Sequence, residues 1–429
     1  VKFFIDVVHT KAEGSESELA KLGSQLSFAV PGAEWTTAYR KGGWNGMKSL
    51  LKGGDKFPSG LAFEDRFADV TKEMCYSPVK VQGFSVADLR VYQERAAKAF
   101  MSGHRGVICM PPGTGKTIVG IDIAGRVGYP TIWLTHRIEL AQQVAKHCKQ
   151  YGFNPSLWGG GVHEKATDFV VATLQTLHAR GFPPDSPDFQ TVVFDECHHV
   201  ANDNTYYDVM SKIEAPWRLG LTATPPHESL PDAYLRGSTG KVYTVDPKYL
   251  QDKGFLCIPD LVTLRGVEYP ETLRYQELLT MISNDKRRAM SLWYQLSNWD
   301  QVIVFVTRIK HGQLLEMIAR KLGLHAEFVS GRTSKLKRAD ALERFAIGQL
   351  PYLITNLWDE GVDLPELETV CLAEPFISER LVVQRCGRVM RPGPEKRPEV
   401  LDVLDVSSRC LEMFRKRLRT YRDLGIYAP

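Results

Sequence analysis

The chain has 429 residues, 43% of them hydrophobic and 24% charged, which allows two or three domains and a core that needs no disulfide or metal to compensate for size. Its longest apolar runs, such as QVIVFV, are strand-length, and VKFFIDVV leads into polar sequence without a small-residue cleavage site, so neither a membrane span nor a signal peptide is expected. The net charge is only +4, so a nucleic-acid partner must be argued from local basic patches; the eight cysteines (75, 109, 148, 197, 257, 371, 386, 410) include no C-x-x-C pair and are expected as reduced thiols in a cytoplasm.

Residues 1–83 are expected to form a small module. Within it Arg40, Lys41, Lys48, Lys52 and Lys56 face a single acid, Asp55, along AYRKGGWNGMKSLLKGGDKFPSGL, and Asn45-Gly46 signals a type I′ hairpin. From 84 to 265 short apolar runs alternate with helical stretches: GVICM (106–110), TIWLT (131–135), FVVATL and TVVFDE. The pattern restarts over 266–429 with the helix KRRAMSLWYQL, the strand QVIVFVT, the helix GQLLEMIARKL and the strands YLITN and TVCLAEP. Such alternation predicts α/β domains with parallel sheets covered by helices, two of them in tandem. The tail RCLEMFRKRLRTYRDL places Leu411, Phe414, Leu418 and Tyr421 at helical spacing with Arg415, Lys416, Arg417, Arg419 and Arg422 between them, an amphipathic basic helix.

CMPPGTGKT (109–117) lies between a strand and the helix IVGIDIAGRV, the context a phosphate-binding loop requires. Gly113 and Gly115 let backbone N–H groups turn toward phosphates, Lys116 would reach the β- and γ-phosphates, and Thr117 would hold Mg²⁺. Met110 stands where the general pattern has its first glycine. TVVFDECHHV (191–200) offers residues for zinc, thiol or magnesium–ATP chemistry. Asp195, at the carboxyl end of a buried strand, fits the metal-side carboxylate, and Glu196 is placed to orient or deprotonate water. Zinc is disfavoured because Cys197, His198 and His199 are consecutive and no second ligand pair is spaced for it. A catalytic Cys197 lacks an evident base. His198 is expected to hydrogen-bond a neighbouring strand end, with a packed core histidine as the alternative.

These residues resemble a superfamily 2 helicase over most of 85–395. DLRVYQ (88–93) is similar to the adenine-reading element, with Arg90 and Gln93 as base contacts; PPGTGKT to motif I, including Pro112 and Thr114; LTHRIELAQQ to Ia; VVATLQTL to Ib; DECHH to II; LTATP to III; VIVFVTR to IV; ITNLWDEGVDLP to V; and QRCGRVMR to VI. The resemblance implies two tandem RecA-like parallel-sheet domains behind a small N-terminal α+β nucleic-acid-binding domain, with ATP and Mg²⁺ as cofactors. It implies that Arg388 and Arg391 neutralise transition-state charge, that Gly361 and Asp363 link strand contacts to the nucleotide, and that His198, Thr222, Thr224 and Gln384 couple the two. It places DNA contacts on Thr135, Arg137, Thr173, Gln175, Arg308, Thr333 and Thr355, largely to the backbone and without sequence information. WGGGVHE (158–164) is either a phosphate-binding loop or a plain hairpin.

D-E-C-H, L-T-A-T-P and Q-R-x-G-R-x-x-R look closer to DNA-directed members, the XPB, type III restriction and UvsW group, than to DEAD-box proteins. YRKGGWNGMKSLL with FPSGL resembles the amino-terminal domain of UvsW-type phage helicases. There Lys41, Trp44 and Lys48 would grip DNA; a solvated basic hairpin with core aromatics is the alternative. The resemblance implies an ATP-dependent helicase that regresses forks and migrates junctions of branched DNA, with a bacterial or phage-infected cytoplasm as its natural setting; the oligomeric state is left open, with a monomer expected. An RNA helicase, an ATP-switched binding protein and a restriction motor subunit are the rivals.

Overall fold

Short runs of β-branched and aromatic residues with no charge become fully buried strands, and the helices between them cover both sheet faces. The computed structural model describes residues 1–31, 33–67, 69–74, 83–128, 130–201, 204–226, 229–357, 367–376, 378–393 and 396–427. They fall into two compact units, Val1–Met110 with Gly115–Val245, and Pro111–Thr114 with Asp246–Pro429.

The first unit holds an eight-stranded sheet in the order Val162–His163, Pro155–Gly159, Phe169–Thr173, Thr131–Thr135, Thr191–Asp195, Trp217–Thr222, Arg105–Cys109, Val242–Thr244. All neighbours are parallel except the first pair, a hairpin turned by Gly160 and Gly161 with φ of 59° and 86°. WGGGVHE thus forms a hairpin. The parallel register brings the carboxyl ends Cys109, Thr135, Thr173, Asp195 and Thr222 to one edge, Thr173 opposite Thr135 and Thr222 opposite Cys109. Helix Lys116–Val127 lies close on this sheet because Gly120 has no side chain: a Cβ there would come within 2.6 Å of the Trp133 ring.

Residues of the N-terminal module share this unit. Lys56–Pro58, His9–Glu13, Lys2–Ile5 and Thr71–Met74 form a four-stranded sheet in that order. Helix Glu16–Gln25 starts at Ser15 with a reciprocal Ser15–Glu18 capping box. The module's core (Phe3, Ile5, Leu22, Leu26, Phe57, Phe67) continues into Leu230 and Ala233 of helix Ser229–Ser238. FPSGL is the seam. Phe57 is buried among aromatics, Pro58 lies against Gly237, and Gly60 approaches so closely that a Cβ would stand 1.9 Å from the Arg236 carbonyl oxygen. Glu64 pairs with both Arg66 and Arg236. The type I′ hairpin expected at Asn45-Gly46 does not form. Strand Met47–Ser49 pairs with the distant Ser27–Ala29, and Asn45 Oδ1 instead accepts the Met47 N–H at 3.0 Å.

In the second unit six parallel strands run in the order Asp260–Glu268, Glu399–Val406, Thr369–Leu372, Val302–Phe305, Tyr352–Thr355, Ala326–Val329. The division expected at 265/266 falls inside the first of these, and that expected at 83/84 separates segments of one unit. The edge strand Asp260–Glu268 belongs to the second sheet, and the module's apolar core is continuous with the first unit. The tail forms helix Ser408–Asp423, but Arg417 is not on its solvent face. Arg417 is 1% exposed and makes a bidentate pair with Asp402, which also accepts the Tyr421 hydroxyl at 2.7 Å. A second buried pair joins Arg288 to Asp405. Among the described residues no helix is long and apolar enough to cross a membrane.

Candidate nucleotide site and nucleic-acid edge

The phosphate loop leaves the sheet at Met110, whose N–H donates to the Thr222 carbonyl at 3.0 Å and whose side chain is buried. Met110 is not among the residues with positive φ, so the missing glycine costs the backbone nothing. Gly113 and Gly115 do need their freedom, with φ of 77° and 83°. The Thr114 hydroxyl donates to the Pro111 carbonyl at 2.6 Å, closing the turn between Pro112 and Gly115, and Lys116 Nζ donates back to the Met110 carbonyl at 3.3 Å. Thr117 follows in the first turn of the helix.

Helix Val91–Gly103 brings Gln93 to this loop. Its Oε1 accepts the Arg90 N–H at 2.8 Å, and a Cβ at Gly115 would stand 2.5 Å from its Nε2. The segment ahead is held by Asp122, which is fully buried and accepts from Ser85 Oγ and from the N–H groups of Val86 and Ala87. Asp122 escaped the sequence reading; an acid inside the apolar run IVGIDIAG was its signal.

Strand Thr191–Asp195 ends in an almost buried carboxylate. Burial raises the Asp195 pKa, against the opposing pull of Lys116, the Glu196 N–H and His136. Glu196 has φ of +49°, a left-handed conformation that is strained for a side-chain-bearing residue. That turn starts the short helix Cys197–Ala201. His198 is thereby carried to the neighbouring strand end, with Nδ1 2.9 Å from Thr222 Oγ1 and 3.3 Å from Glu196 Oε2. Thr222 Oγ1 in turn accepts the Thr224 N–H at 3.1 Å. Cys197 points the other way: it is wholly buried, a Cβ on Gly220 would come within 2.9 Å of its sulfur, and burial pushes its thiol well up. Such a thiol is inert. The His199 ring packs at a tilt against those of His136 and His198, contacts not anticipated from the sequence.

In the second unit helix Glu379–Cys386 carries the buried Gln384 and runs into a turn holding Arg388. Burial lowers the Arg391 pKa from its ordinary value. The neighbouring Arg385 is 2% exposed and lies over the rings of Phe305 and Phe376, a core residue. Gly361 and Asp363 lie outside the described residues.

The residues expected to touch DNA divide into two kinds. Arg137 and Gln175 are exposed at the carboxyl edge of the first sheet. Thr135 and Thr173 end neighbouring strands there but are buried, and their hydroxyls bond Arg137 O at 3.0 Å and Thr176 Oγ1 at 2.8 Å. Thr355 is likewise buried and accepts the Leu357 N–H. As placed, these three threonines shape the loops and do not themselves present a hydroxyl to a strand. Arg308 is held by Thr280 and Gln276, and Thr333 Oγ1 accepts the Ser330 N–H. Arg308, Thr355 and Thr333 follow or end three adjacent strands of the second sheet. A buried His311–Glu374–Thr307 cluster behind Arg308 also went unread. In the N-terminal module Lys41 is exposed, Trp44 Nε1 donates to Met47 O at 2.8 Å, and Lys48 Nζ lies 5.4 Å from the Tyr234 ring centroid. Lys48 is thus aimed at the same unit's own aromatic ring.

Two family models match in order along the chain: the type III restriction enzyme res subunit over 87–227 and the helicase conserved C-terminal domain over 285–393. A putative DNA 3′-5′ helicase Rad25 of Halobacterium salinarum is 30% identical over 331 residues, 72% of this chain and 53% of its own. A DNA 3′-5′ translocase XPB2 of Sulfurisphaera tokodaii is 24% identical, covering 86% of this chain and 95% of its own. The ATP-dependent type ISP restriction-modification enzyme LlaBIII, solved bound to DNA, shares the fold with a TM-score of 0.63 at 16% identity, over 80% of this chain and 31% of that one. The chain spans about half the length of the Rad25 relatives it matches. A phosphate loop, a DECH strand end tied to the LTAT strand, and a second parallel-sheet unit carrying QRCGRVMR accompany those matches, and the chain is a superfamily 2 helicase related to the XPB and type III restriction proteins.

Proposed function

We propose that this chain is an ATP-hydrolysing motor that moves on DNA and remodels branched substrates, regressing forks and migrating junctions. The observation that carries the reading is the run from Glu196 through His198 to Thr222 and the Thr224 N–H, which ties a candidate catalytic acid to the next strand end. Gly113, Gly115, Lys116 and Thr117 suit a nucleoside triphosphate, with Gln93 and Arg90 beside the loop for the base. Thr117 and Asp195 would hold Mg²⁺, which when bound offsets phosphate charge. A cation there also relieves the cost of a buried carboxylate at Asp195. Lys116 would draw charge off the phosphates, Glu196 would orient the attacking water, and Arg388 and Arg391 would neutralise transition-state charge. Arg137, Gln175, Arg308 and Thr333 carry the strand. Gly361 and Asp363 take their coupling role by resemblance alone.

DNA is favoured over RNA by the relatives named as DNA helicase and DNA translocase. Branched DNA is favoured by the basic N-terminal module around Lys41. The protein acts as a monomer in a bacterial or phage-infected cytoplasm. The test compares ATP turnover and strand rearrangement on a four-way junction, a fork, tailed duplexes of both polarities and structured RNA. Junction and fork should stimulate most and be converted. Stronger stimulation by RNA would move the enzyme to RNA, and absence of turnover on every substrate would make it a switch. DNA cleavage only with an added nuclease subunit would make it a restriction motor.

A further inference from the structure

Three imidazoles form a continuous run of tilted ring contacts beside Glu196. The ring centroids of His136 and His199 are 4.3 Å apart at 36°, and those of His199 and His198 are 4.5 Å apart at 32°. The run joins two places that differ in role. At one end His136 sits between Thr135, the last residue of its strand, and the exposed Arg137, with the Thr135 hydroxyl bonded to the Arg137 carbonyl. At the other end His198 is bonded to Thr222 and lies beside Glu196. The strained turn at Glu196 makes this possible, because the short helix Cys197–Ala201 that follows sends His198 to one neighbouring element and His199 to the other.

We propose that His136 is a positioning residue that transmits occupancy of the DNA-side loop Thr135–Arg137 to Glu196 through the rings of His199 and His198. The inference rests on the motor reading above. Paired rings prefer offset or edge contacts over a narrow range of separations. A strand phosphate that draws Arg137 outward therefore shifts His136, and the ring beyond it must follow. His198 bonds both Thr222 and Glu196, so its displacement changes the aim of the acid. The run thus gives DNA a route to ATP hydrolysis within the first unit.

The test measures ATP turnover with and without junction DNA, DNA affinity and thermal stability for the wild type, His136→Ala, His136→Phe, His199→Ala and the double alanine variant. Relative to its own basal turnover, His136→Ala should lose about tenfold in DNA stimulation while keeping DNA affinity, a factor typical of site-to-site coupling. His199→Ala should lose as much, the double variant no more than either, and His136→Phe, which keeps a ring, should recover most of the loss. Undiminished stimulation in His136→Ala overturns the proposal. So do losses that multiply in the double variant, failure of the phenylalanine to restore, or a fall in basal turnover and stability that accounts for the whole effect. A wild type that DNA does not stimulate at all would instead overturn the motor reading.

Discussion

His198 Nδ1 lies 2.9 Å from the hydroxyl oxygen of Thr222. The contact crosses from the end of one parallel strand to the end of the next. The same hydroxyl oxygen holds the Thr224 N–H, so one side-chain atom fixes both the histidine and the loop after its own strand. Replacing Thr222 with valine keeps the volume and removes that atom. A buried group left without its partner costs about 1–3 kcal/mol. Thr222→Val should keep DNA-stimulated ATP turnover within a few-fold while duplex unwinding falls about tenfold, as measured in parallel steady-state assays.

Asp195 is held in its native site at a cost. Its folded-state pKa is raised by burial above the ordinary 3.8, so the native state binds the proton more tightly than the unfolded chain. Stability therefore declines as pH rises through the window from 3.8 upward, and at neutral pH the charged form is the destabilised one. Asp195→Asn should raise the melting temperature of the nucleotide-free protein at pH 7–8, by about 2–4 °C for each kcal/mol relieved. It should show no such gain below pH 3.8 and should abolish ATP turnover. Melting curves across pH check the sign.

Gly60 has no room for a side chain, since a Cβ would stand 1.9 Å from the Arg236 carbonyl oxygen. Gly60→Ala should force the FPSGL turn away from helix Ser229–Ser238, at about 1–3 kcal/mol by analogy with overpacked cores. Early cleavage of the N-terminal module in limited proteolysis is the expected readout. Gly103→Ala serves as the control for an open position, because no neighbouring atom lies within 4 Å of its side-chain site and its φ is not positive.

Arg417 and Asp402 are 1% and 0% exposed and paired through two hydrogen bonds of 2.8 Å. Arg417→Ala leaves the Asp402 charge buried, with the Tyr421 hydroxyl still bonded to it. Breaking one partner of a buried pair costs about 3–5 kcal/mol. Denaturant unfolding should show a loss of that size, whereas Arg419→Ala, on the exposed side of the same helix, should change little.

The parts of this fold that were legible share one property: their signal is local. GVICM, TIWLT and TVVFDE announce buried strands by an uninterrupted apolar run, and PPGTGKT announces its loop by two glycines that the backbone needs. The parts that were not legible depend on the far side of a contact. Arg417 and Arg288 look like solvated helix cations until the sheet places Asp402 and Asp405 against them. The His136–His199 contact joins residues 63 positions apart by numbering, and no periodicity marks it. Thr135, Thr173 and Thr355 occupy the strand ends where the motifs put them, yet their hydroxyls are used inside the loops. FPSGL is recognisable as a motif, but its reason for being there, a glycine against the Arg236 backbone, exists only once helix Ser229–Ser238 is in place.

The proposed hydrolysis needs Arg388 and Arg391 as well as Lys116, Asp195 and Glu196. Single-turnover hydrolysis by Arg388→Ala and Arg391→Ala, with nucleotide affinity measured separately, tests it most directly. At least one variant should hydrolyse ATP about 10³–10⁵-fold more slowly while still binding it. Unimpaired hydrolysis in both variants would contradict it.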